Sequence, residues 1–313
     1  MSRLSNLIES GQGPIVTAEA PSVDGGTLAD FHERIAEPAR WVDAMNITDN
    51  TAAHAHASNV AVAIALAQAG VEPILQVVCR DKNRLALQSD IVGAALHGIE
   101  NVCCITGDSV SAGDEPDAKP VFDLDGLELI SLANGLAQGH YLSGRAIEPP
   151  PRLFIGAVDS AVAPPFDERA ERAAKKIEAG ARFLQLQISY FPERLGAFVE
   201  ELDRRGLVSR VALLPTIVLL KGAGGLRFMD ERVPGVTVPP ETIERVEQAD
   251  DESEAAYELA LEQARAALAT PGIRGIHLTD FRRDGALSRL CQDLGLTRKE
   301  EREAHEHGSE LSV

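Results

Sequence analysis

Polar side chains follow short apolar segments at six places along this sequence. Each segment is rich in branched apolar residues and gives way to a stretch with helical character. The polar residues at these positions are Glu19, Thr48, Gln76, Asp108, Gln187 and, just beyond Asp280, Arg282. In a barrel of alternating strands and helices, the carboxyl ends of all strands face one mouth, and the active site lies there. We therefore expect these six side chains to form one site.

Glu19 is the strongest candidate for a catalytic acid. A carboxylate in a partly closed pocket loses hydration, which raises its pKa, so it can hold a proton near neutral pH and deliver it to a substrate. The alternative role is a structural ion pair, for example with Arg282 across the barrel mouth. The sequence alone leaves both roles open for Glu19.

The elements that would position these residues alternate between strand and helix, which favours a parallel sheet. Strands are predicted at 14–19, 42–47, 73–78, 101–106, 153–158, 182–187, 210–217 and 274–279. Helices are predicted at 52–69, 85–97, 125–138, 168–179, 193–206 and 252–269. Asp123 is the expected N-cap of the third helix, and Gly180 is the expected C-cap of the fourth.

Eight strands with intervening helices predict a single (β/α)8 TIM barrel over residues 1–297, followed by a charged C-terminal tail over 298–313. A doubly wound open sheet is the competing fold. That fold usually has a glycine-rich phosphate loop after its first strand, and the stretch 20–26 lacks this motif.

Two long loops are predicted, at 109–123 and 221–240, and long loops in compact domains are often functional. Gly222-Ala223-Gly224-Gly225, in the second loop, is compatible with an anion-binding nest or with the hinge of a lid. His54 and His56 lie two apart on a predicted helix and do not share a face, so no metal site is expected. The four cysteines fit no zinc pattern and are expected to be buried, reduced thiols.

The formal net charge is −18. A net negative charge argues against nucleic acid or an anionic membrane as the main partner. No stretch reaches the roughly 18 apolar residues that span a bilayer, and the first residues lack a signal-peptide core. The expected location is therefore cytoplasmic.

Several longer motifs carry a resemblance to a known family. They are Asn46-Ile47-Thr48-Asp49-Asn50, the run from Gln76 to Arg84, Ile105-Thr106-Gly107-Asp108, the run from Ala118 to Asp125, Ile217–Lys221, Arg227-Phe228-Met229 and Val233-Pro234-Gly235-Val236. Over residues 14–296 the chain resembles methylenetetrahydrofolate reductase, most of all the short form of acetogenic and related bacteria. The resemblance implies a (β/α)8 barrel with a flavin across the carboxyl ends of its strands.

The resemblance also implies a role for each residue. Glu19 would protonate methylenetetrahydrofolate so that its ring opens to an iminium ion, and Asp108 would lie beside the pterin and the flavin. Gln187 would contact folate and nicotinamide, and Arg282 would help to hold the folate. The residues expected near the flavin are Thr48, Gln76, Asp108 and Lys176.

The chain departs from the family pattern mainly around the flavin. Gln76 stands at the position of a flavin-contacting histidine. The end of the fifth strand, Ala157-Val158-Asp159-Ser160, lacks the tyrosine and histidine that hold FAD in well-known members. After Gln187, the usual two aromatic residues and aspartate are replaced by 188–191. FAD is the expected cofactor, and FMN or direct hydride transfer without flavin are the alternatives.

The expected activity is reduction of 5,10-methylenetetrahydrofolate to 5-methyltetrahydrofolate, with NADH as electron donor. One alternative is a tetrahydrofolate-dependent methyl or methylene transfer without net reduction. Another is a folate- or flavin-binding subunit that works inside a larger electron-transfer complex. The sequence is compatible with a homo-oligomer and with such a partner subunit.

Overall fold

Eight parallel strands close into a barrel in the computed structural model, which describes residues 1–299. Each strand pairs with the next, and the eighth pairs with the first. The strands are β1 (Ile15–Glu19), β2 (Ala44–Ile47), β3 (Pro73–Val78), β4 (Asn101–Ile105), β5 (Phe154–Asp159), β6 (Phe183–Leu186), β7 (Ala212–Leu219) and β8 (Gly275–Asp280). The predicted (β/α)8 barrel is confirmed. Of the predicted tail, 300–313 lies outside the described residues.

Helices lie between the strands and at both ends of the described chain. They are α1 (Arg3–Ser10), α2 (Leu28–Ala36), α3 (Asn59–Gln68), α4 (Arg84–Leu96), α5 (Gly126–Ala137), α6 (Arg169–Ala179), α7 (Pro192–Arg204), α8 (Ala223–Arg232), α9 (Pro240–Glu247), α10 (Glu252–Ala269) and α11 (Ala286–Asp293). Gly180 ends α6 as predicted. The N-cap of α5 is Asp125, which forms a capping box with Glu128, and the prediction of Asp123 was wrong. Asp123 instead binds Arg84.

The segment before α3 is not helical, although a helix was predicted from residue 52. Asn50, Ala52 and Ala53 have positive φ angles of 49°, 54° and 61°, which a right-handed helix excludes. His54 and His56 therefore lie in a loop, where His56 binds Asp24 of the preceding loop. Among residues 1–299, no group of three or more histidine, cysteine or acidic side chains could hold a metal ion.

The predicted loop over 221–240 contains helix α8. Ala223, Leu226 and Met229 recur at helical spacing and pack into an apolar cluster with Val218 and Val246. Burial of this face outweighs the poor helix propensity of the two glycines at the start of α8. No helix among the described residues has the length and apolar character needed to cross a membrane.

Side chains alternate along each strand between the barrel interior and the surrounding helices. At the amino-terminal end, the interior is closed by apolar residues that include Ile15, Ile74, Phe183, Leu214 and Leu4 of α1. One layer higher, the interior is polar. We call Thr17, Asn46, Gln185 and His277 the polar layer. Above this layer the barrel opens at the carboxyl ends of the strands, which we call the mouth.

Candidate active site

Glu19 is the last residue of β1, and strand alternation places it on the inner side, two residues above Thr17. Its side chain is half-buried, and loss of hydration raises its pKa to about 7. Within residues 1–299, no side chain or backbone group forms a hydrogen bond or ion pair with its carboxylate. The arrangement leaves Glu19 able to carry a proton at neutral pH and to release it to a ligand.

Arg282 does not form the alternative ion pair with Glu19. One of its terminal nitrogens donates to the carbonyl oxygens of Ser253 at 2.6 Å and Leu220 at 3.2 Å. The other lies 3.1 Å from Asp284. The guanidinium therefore joins the end of β7, the start of α10 and the loop after β8. Substrate binding by Arg282 stays a prediction, because these contacts would have to be shared with the ligand.

Thr48 and Gln76 are brought to the same side of the barrel by adjacent strands. Thr48 directly follows β2 and is half-buried. Gln76 lies within β3, two residues above Ile74, and is only 7% exposed. Strand alternation places the Gln76 side chain inside the barrel at the lower edge of the mouth.

Asp108 is exposed and lies three residues beyond β4. Its carboxylate has no hydrogen-bond or ion-pair partner among the described residues. Gly107 places it there, because the chain crosses the end of β3 with a φ of +94°. A Cβ atom on Gly107 would lie 2.4 Å from a methyl carbon of Val78 and 2.9 Å from Cβ of Arg80. The close approach and the positive φ explain why glycine precedes Asp108.

Arg80 joins the loops around Asp108 and was not predicted from the sequence as a site residue. Its guanidinium donates two hydrogen bonds of 2.7 Å to Asp81 and one of 2.9 Å to the carbonyl oxygen of Asn50. The Asn50 side chain donates to Asp81 at 3.0 Å. The pKa of Arg80 is raised, first by its hydrogen bonds to Asp81 and in part by the charge of Asp108. The run Cys79-Arg80-Asp81 was a motif, but only the fold shows this closed network.

Lys176, the predicted flavin-phosphate residue, is already paired. Its ammonium group lies 2.9 Å from the Asp159 carboxylate and donates to the Val158 carbonyl oxygen at 2.6 Å. Gln187 follows β6, is half-buried, and its backbone N–H donates to the Asp159 carbonyl oxygen at 2.7 Å. Asp159 thus contacts both Lys176, which is predicted to bind the flavin phosphates, and Gln187, which is predicted to bind the folate.

Four phenylalanine side chains are between 41% and 57% exposed, and all follow the carboxyl ends of strands. They are Phe122 after β4, Phe166 after β5, Phe228 on α8 after β7, and Phe281 after β8. Exposed aromatic faces at one end of a barrel are suited to stack against flat heteroaromatic ligands. These four residues were not predicted from the sequence, because their exposure depends on the fold.

The residues at the mouth match the ring system of FAD better than they match its phosphates. Val158, an inward residue of β5 that is 36% exposed, offers an apolar surface, and Thr48, Gln76 and Asp108 offer polar groups to a ring system. The phosphates are less well matched, because the Lys176 charge is balanced by Asp159. The site therefore suits a heteroaromatic ring better than a dinucleotide diphosphate.

A cavity of about 710 Å³ lies at the opposite end of the barrel, beside the amino ends of β4, β5 and β6. Its lining includes Glu9, Glu100, Arg152, Arg182 and Arg210. Arg152 is paired with Glu100 at 2.8 Å. None of the predicted site residues lines this cavity, and in barrels of this type the amino-terminal face serves stability.

Comparisons with known proteins agree with the barrel fold. The family model for methylenetetrahydrofolate reductase matches residues 21–295. A search of curated proteins gives no match.

Solved structures that share the fold include the three described next. An uncharacterized protein from Clostridium thermocellum, described as binding two copies of 5-methyl-5,6,7,8-tetrahydrofolic acid, has a TM-score of 0.65 and 14% identity, over 94% of this chain and 99% of its own. DmoA from Hyphomicrobium sulfonivorans has a TM-score of 0.55 and 9% identity, over 92% and 90%. EDTA monooxygenase EmoA from Chelativorans sp. BNC1 has a TM-score of 0.52 and 10% identity, over 91% and 98%. At these identities the likeness supports the barrel alone.

Proposed function

The chain belongs to the methylenetetrahydrofolate reductase family, and from this premise we propose that it reduces 5,10-methylenetetrahydrofolate to 5-methyltetrahydrofolate with electrons from a reduced nicotinamide. The observation that carries the proposal is Glu19, a carboxyl group at the barrel mouth whose pKa is raised to about 7. The reaction needs one proton and one hydride, and Glu19 supplies the proton. Together with the family match, the folate bound by the structurally similar Clostridium thermocellum protein supports a folate ligand for this mouth.

Glu19 acts first in the proposed sequence. Its proton moves to a nitrogen of the five-membered ring, the bond from that nitrogen to the methylene carbon breaks, and the methylene carbon becomes part of an iminium cation. A hydride then adds to this carbon and completes the methyl group. Glu19 is left as a carboxylate and regains its proton from solvent.

Asp108 would stabilise the positive charge of the iminium, and Gln187 would align the folate. The exposed carboxylate of Asp108 favours the cationic iminium over the neutral substrate, which lowers the barrier to ring opening. Gln187 offers an amide that can both donate and accept, which suits a pterin edge. Arg282 contributes to folate binding through the part of its guanidinium that is not occupied by Ser253, Leu220 and Asp284.

FAD is the first candidate for the group that carries the hydride, with Thr48, Gln76 and Asp108 at its ring and Lys176 at its phosphates. When bound, it would accept hydride from NADH and pass it on. A second candidate is direct transfer from nicotinamide to folate, and the pairing of Lys176 with Asp159 favours it. Either route leaves the roles of Glu19 and Asp108 unchanged.

An absorbance spectrum of the purified protein, recorded without oxygen before and after NADH, tests the proposal together with a turnover assay. Bound flavin that is bleached by NADH and reoxidised by methylenetetrahydrofolate supports the flavin route. A colourless protein that consumes NADH and methylenetetrahydrofolate in equal amounts supports direct transfer. Titration with FAD and FMN should show weak, dissociable binding on the flavin route and no binding of either flavin on the direct route.

Two results would overturn the proposal. Consumption of the folate without oxidation of a nicotinamide would indicate a methyl or methylene transferase. Bound flavin that only a partner protein or a low-potential dye reduces would indicate a subunit of an electron-transfer complex.

A further inference from the structure

We infer that His277 is a ligand-contacting residue, which offers its Nε2–H group at the floor of the mouth to a hydrogen-bond acceptor on the pterin of the folate. The inference rests on the proposed function and adds a residue to that site. It comes from the polar layer, which neither the sequence motifs nor the predicted roles include.

The polar layer occupies positions that barrels of this type usually fill with branched apolar residues. Its four side chains are at most 3% exposed. Asn46 and Gln185 form a reciprocal amide pair, with hydrogen bonds of 2.8 Å and 3.0 Å across the barrel. Thr17 lies 2.8 Å from Nδ1 of His277. Burying this many polar groups costs free energy unless they form hydrogen bonds, so the layer indicates a role beyond packing.

The hydrogen bonds fix which imidazole nitrogen carries the proton. Gln185 Nε2 donates to Asn46 and also faces Nδ1 of His277 at 3.4 Å. An amide nitrogen has only hydrogens to offer, so Nδ1 must be an acceptor, and the Thr17 hydroxyl donates to it. The proton of the neutral ring is therefore on Nε2.

His277 remains neutral across the range in which the protein would work. Burial lowers the pKa of its imidazole to about 3. A neutral donor can bind an acceptor without placing positive charge beneath a substrate that becomes a cation. This property suits the iminium chemistry proposed for Glu19.

The Nε2–H group of His277 is unpaired within the described part of the chain. No residue within 1–299 forms a hydrogen bond with Nε2, and the atom is not among the partnerless polar atoms that are wholly shielded from solvent. Below it, Ile15, Phe183 and Leu214 close the barrel. Access to Nε2 is therefore from the mouth.

His277 lies one layer below the proposed acid, on the neighbouring strand β8. It pairs in register with Thr17, and Glu19 follows Thr17 by two residues on the same face of β1. Two residues along a strand span about 6.6 Å. A flat ring that receives the proton of Glu19 at the mouth therefore has an edge within reach of the floor.

Two substitutions of His277 test the Nε2–H donor separately from the Nδ1 acceptor. His277→Asn keeps a polar group near the Nδ1 position and removes the donor at Nε2, whereas His277→Gln places an amide near Nε2. The probe is 5-methyltetrahydrofolate, with binding measured by calorimetry. His277→Asn should weaken binding about 10-fold, and His277→Gln should restore it to within about 3-fold of the wild type. His97→Asn, at the exposed end of α4, is the matched control and should bind as the wild type does.

The wild-type protein provides an independent readout by NMR of its ¹⁵N-labelled histidines. The His277 signals should show a proton on Nε2 and none on Nδ1, and the Nε2–H resonance should move on saturation with 5-methyltetrahydrofolate. Because this measurement uses the wild-type protein, it does not depend on whether a variant folds.

Several outcomes would overturn the inference. They are equal binding by His277→Asn and the wild type, equal losses in both His277 variants at unchanged thermal stability, and an Nε2–H resonance that does not respond to the ligand. If the wild type itself does not bind 5-methyltetrahydrofolate, the proposed function fails as well. Wild-type binding with unchanged affinity in His277→Asn refutes only the role of His277.

Discussion

Replacement of Glu19 by glutamine should abolish most folate reduction and leave the fold intact. The amide keeps the size of the side chain but has no acidic proton to deliver. Loss of a positioned general acid typically costs about 100- to 10,000-fold in rate. Reduction of any bound flavin by NADH should continue, because that half-reaction needs no proton from Glu19.

The same substitution should stabilise the protein at alkaline pH, and the magnitude follows from the raised pKa. The folded-state pKa is about 7, against an ordinary value of 4.5. Well below pH 4.5 the carboxyl is neutral in both the folded and the unfolded chain, so it makes no difference to stability. As the pH rises to 7 and beyond, the folded protein bears the cost of a poorly hydrated charge, which reaches about 3 kcal/mol. Glu19→Gln removes this cost.

The assay pairs steady-state folate reduction with thermal unfolding at pH 5 and pH 8. The wild-type rate should fall about tenfold per pH unit above 7, where the protonated acid becomes scarce. Glu19→Gln should unfold about 5 °C higher than the wild type at pH 8, since unfolding entropy is about 2.1 cal/mol/K per residue. At pH 5 the difference should be small. Glu33→Gln, at an exposed position of α2, serves as the control and should alter neither property.

A variant that keeps near-wild-type folate turnover would remove Glu19 from the role of acid. Equal stability of the wild type and Glu19→Gln at pH 8 would show that the carboxylate is well hydrated in the folded protein. The second result would refute the argument from burial even if turnover were lost.

Three further predictions concern the surroundings of Glu19. Asp108→Asn should lower folate turnover by about 100-fold and change the free energy of unfolding by less than about 0.5 kcal/mol. The stability effect is small because Asp108 is exposed and has no hydrogen-bond or ion-pair partner among the described residues. A large stability loss with normal turnover would contradict its proposed role. Lys176→Gln should destabilise the protein by about 3–5 kcal/mol in urea, since it strands the Asp159 carboxylate, whose side chain is 2% exposed; a loss below about 1 kcal/mol would indicate that the ion pair contributes little. Gly107→Ala should cost at least about 2 kcal/mol and impair turnover, because its φ is +94° and the new Cβ would overlap Val78; an alanine variant with wild-type stability and rate would refute this account.

The barrel itself could be predicted from the sequence because its strands repeat one local pattern. Each of the eight predicted strands overlaps an observed one, since a parallel strand buried on both sides needs a run of apolar residues that is visible in the chain. The ends of these runs also located Glu19 and Thr48, because the carboxyl end of every strand opens to the same mouth.

Helix boundaries were less well predicted where backbone conformation or packing overrides propensity. The alanine-rich stretch from residue 52 indicated a helix, but positive φ angles at Ala52 and Ala53 delay its start to Asn59. The glycines at the start of α8 indicated a loop, but Leu226 and Met229 are buried against other elements. Both differences arise from contacts between distant parts of the chain.

The sequence by itself determined the succession of strands and helices and the residue types at the mouth. The tertiary structure decided which of those residues remain available to a ligand. Arg282 and Lys176 are cations that suit anionic ligands, yet the fold pairs each with an acidic neighbour. His277 is one residue in an apolar strand. Only barrel closure brings Thr17 and Gln185 to its Nδ1 and leaves Nε2 without a hydrogen-bond partner among residues 1–299. Hydrogen bonds act over a few ångströms in space, whereas the chain separates His277 from Gln185 by 92 residues and from Thr17 by 260.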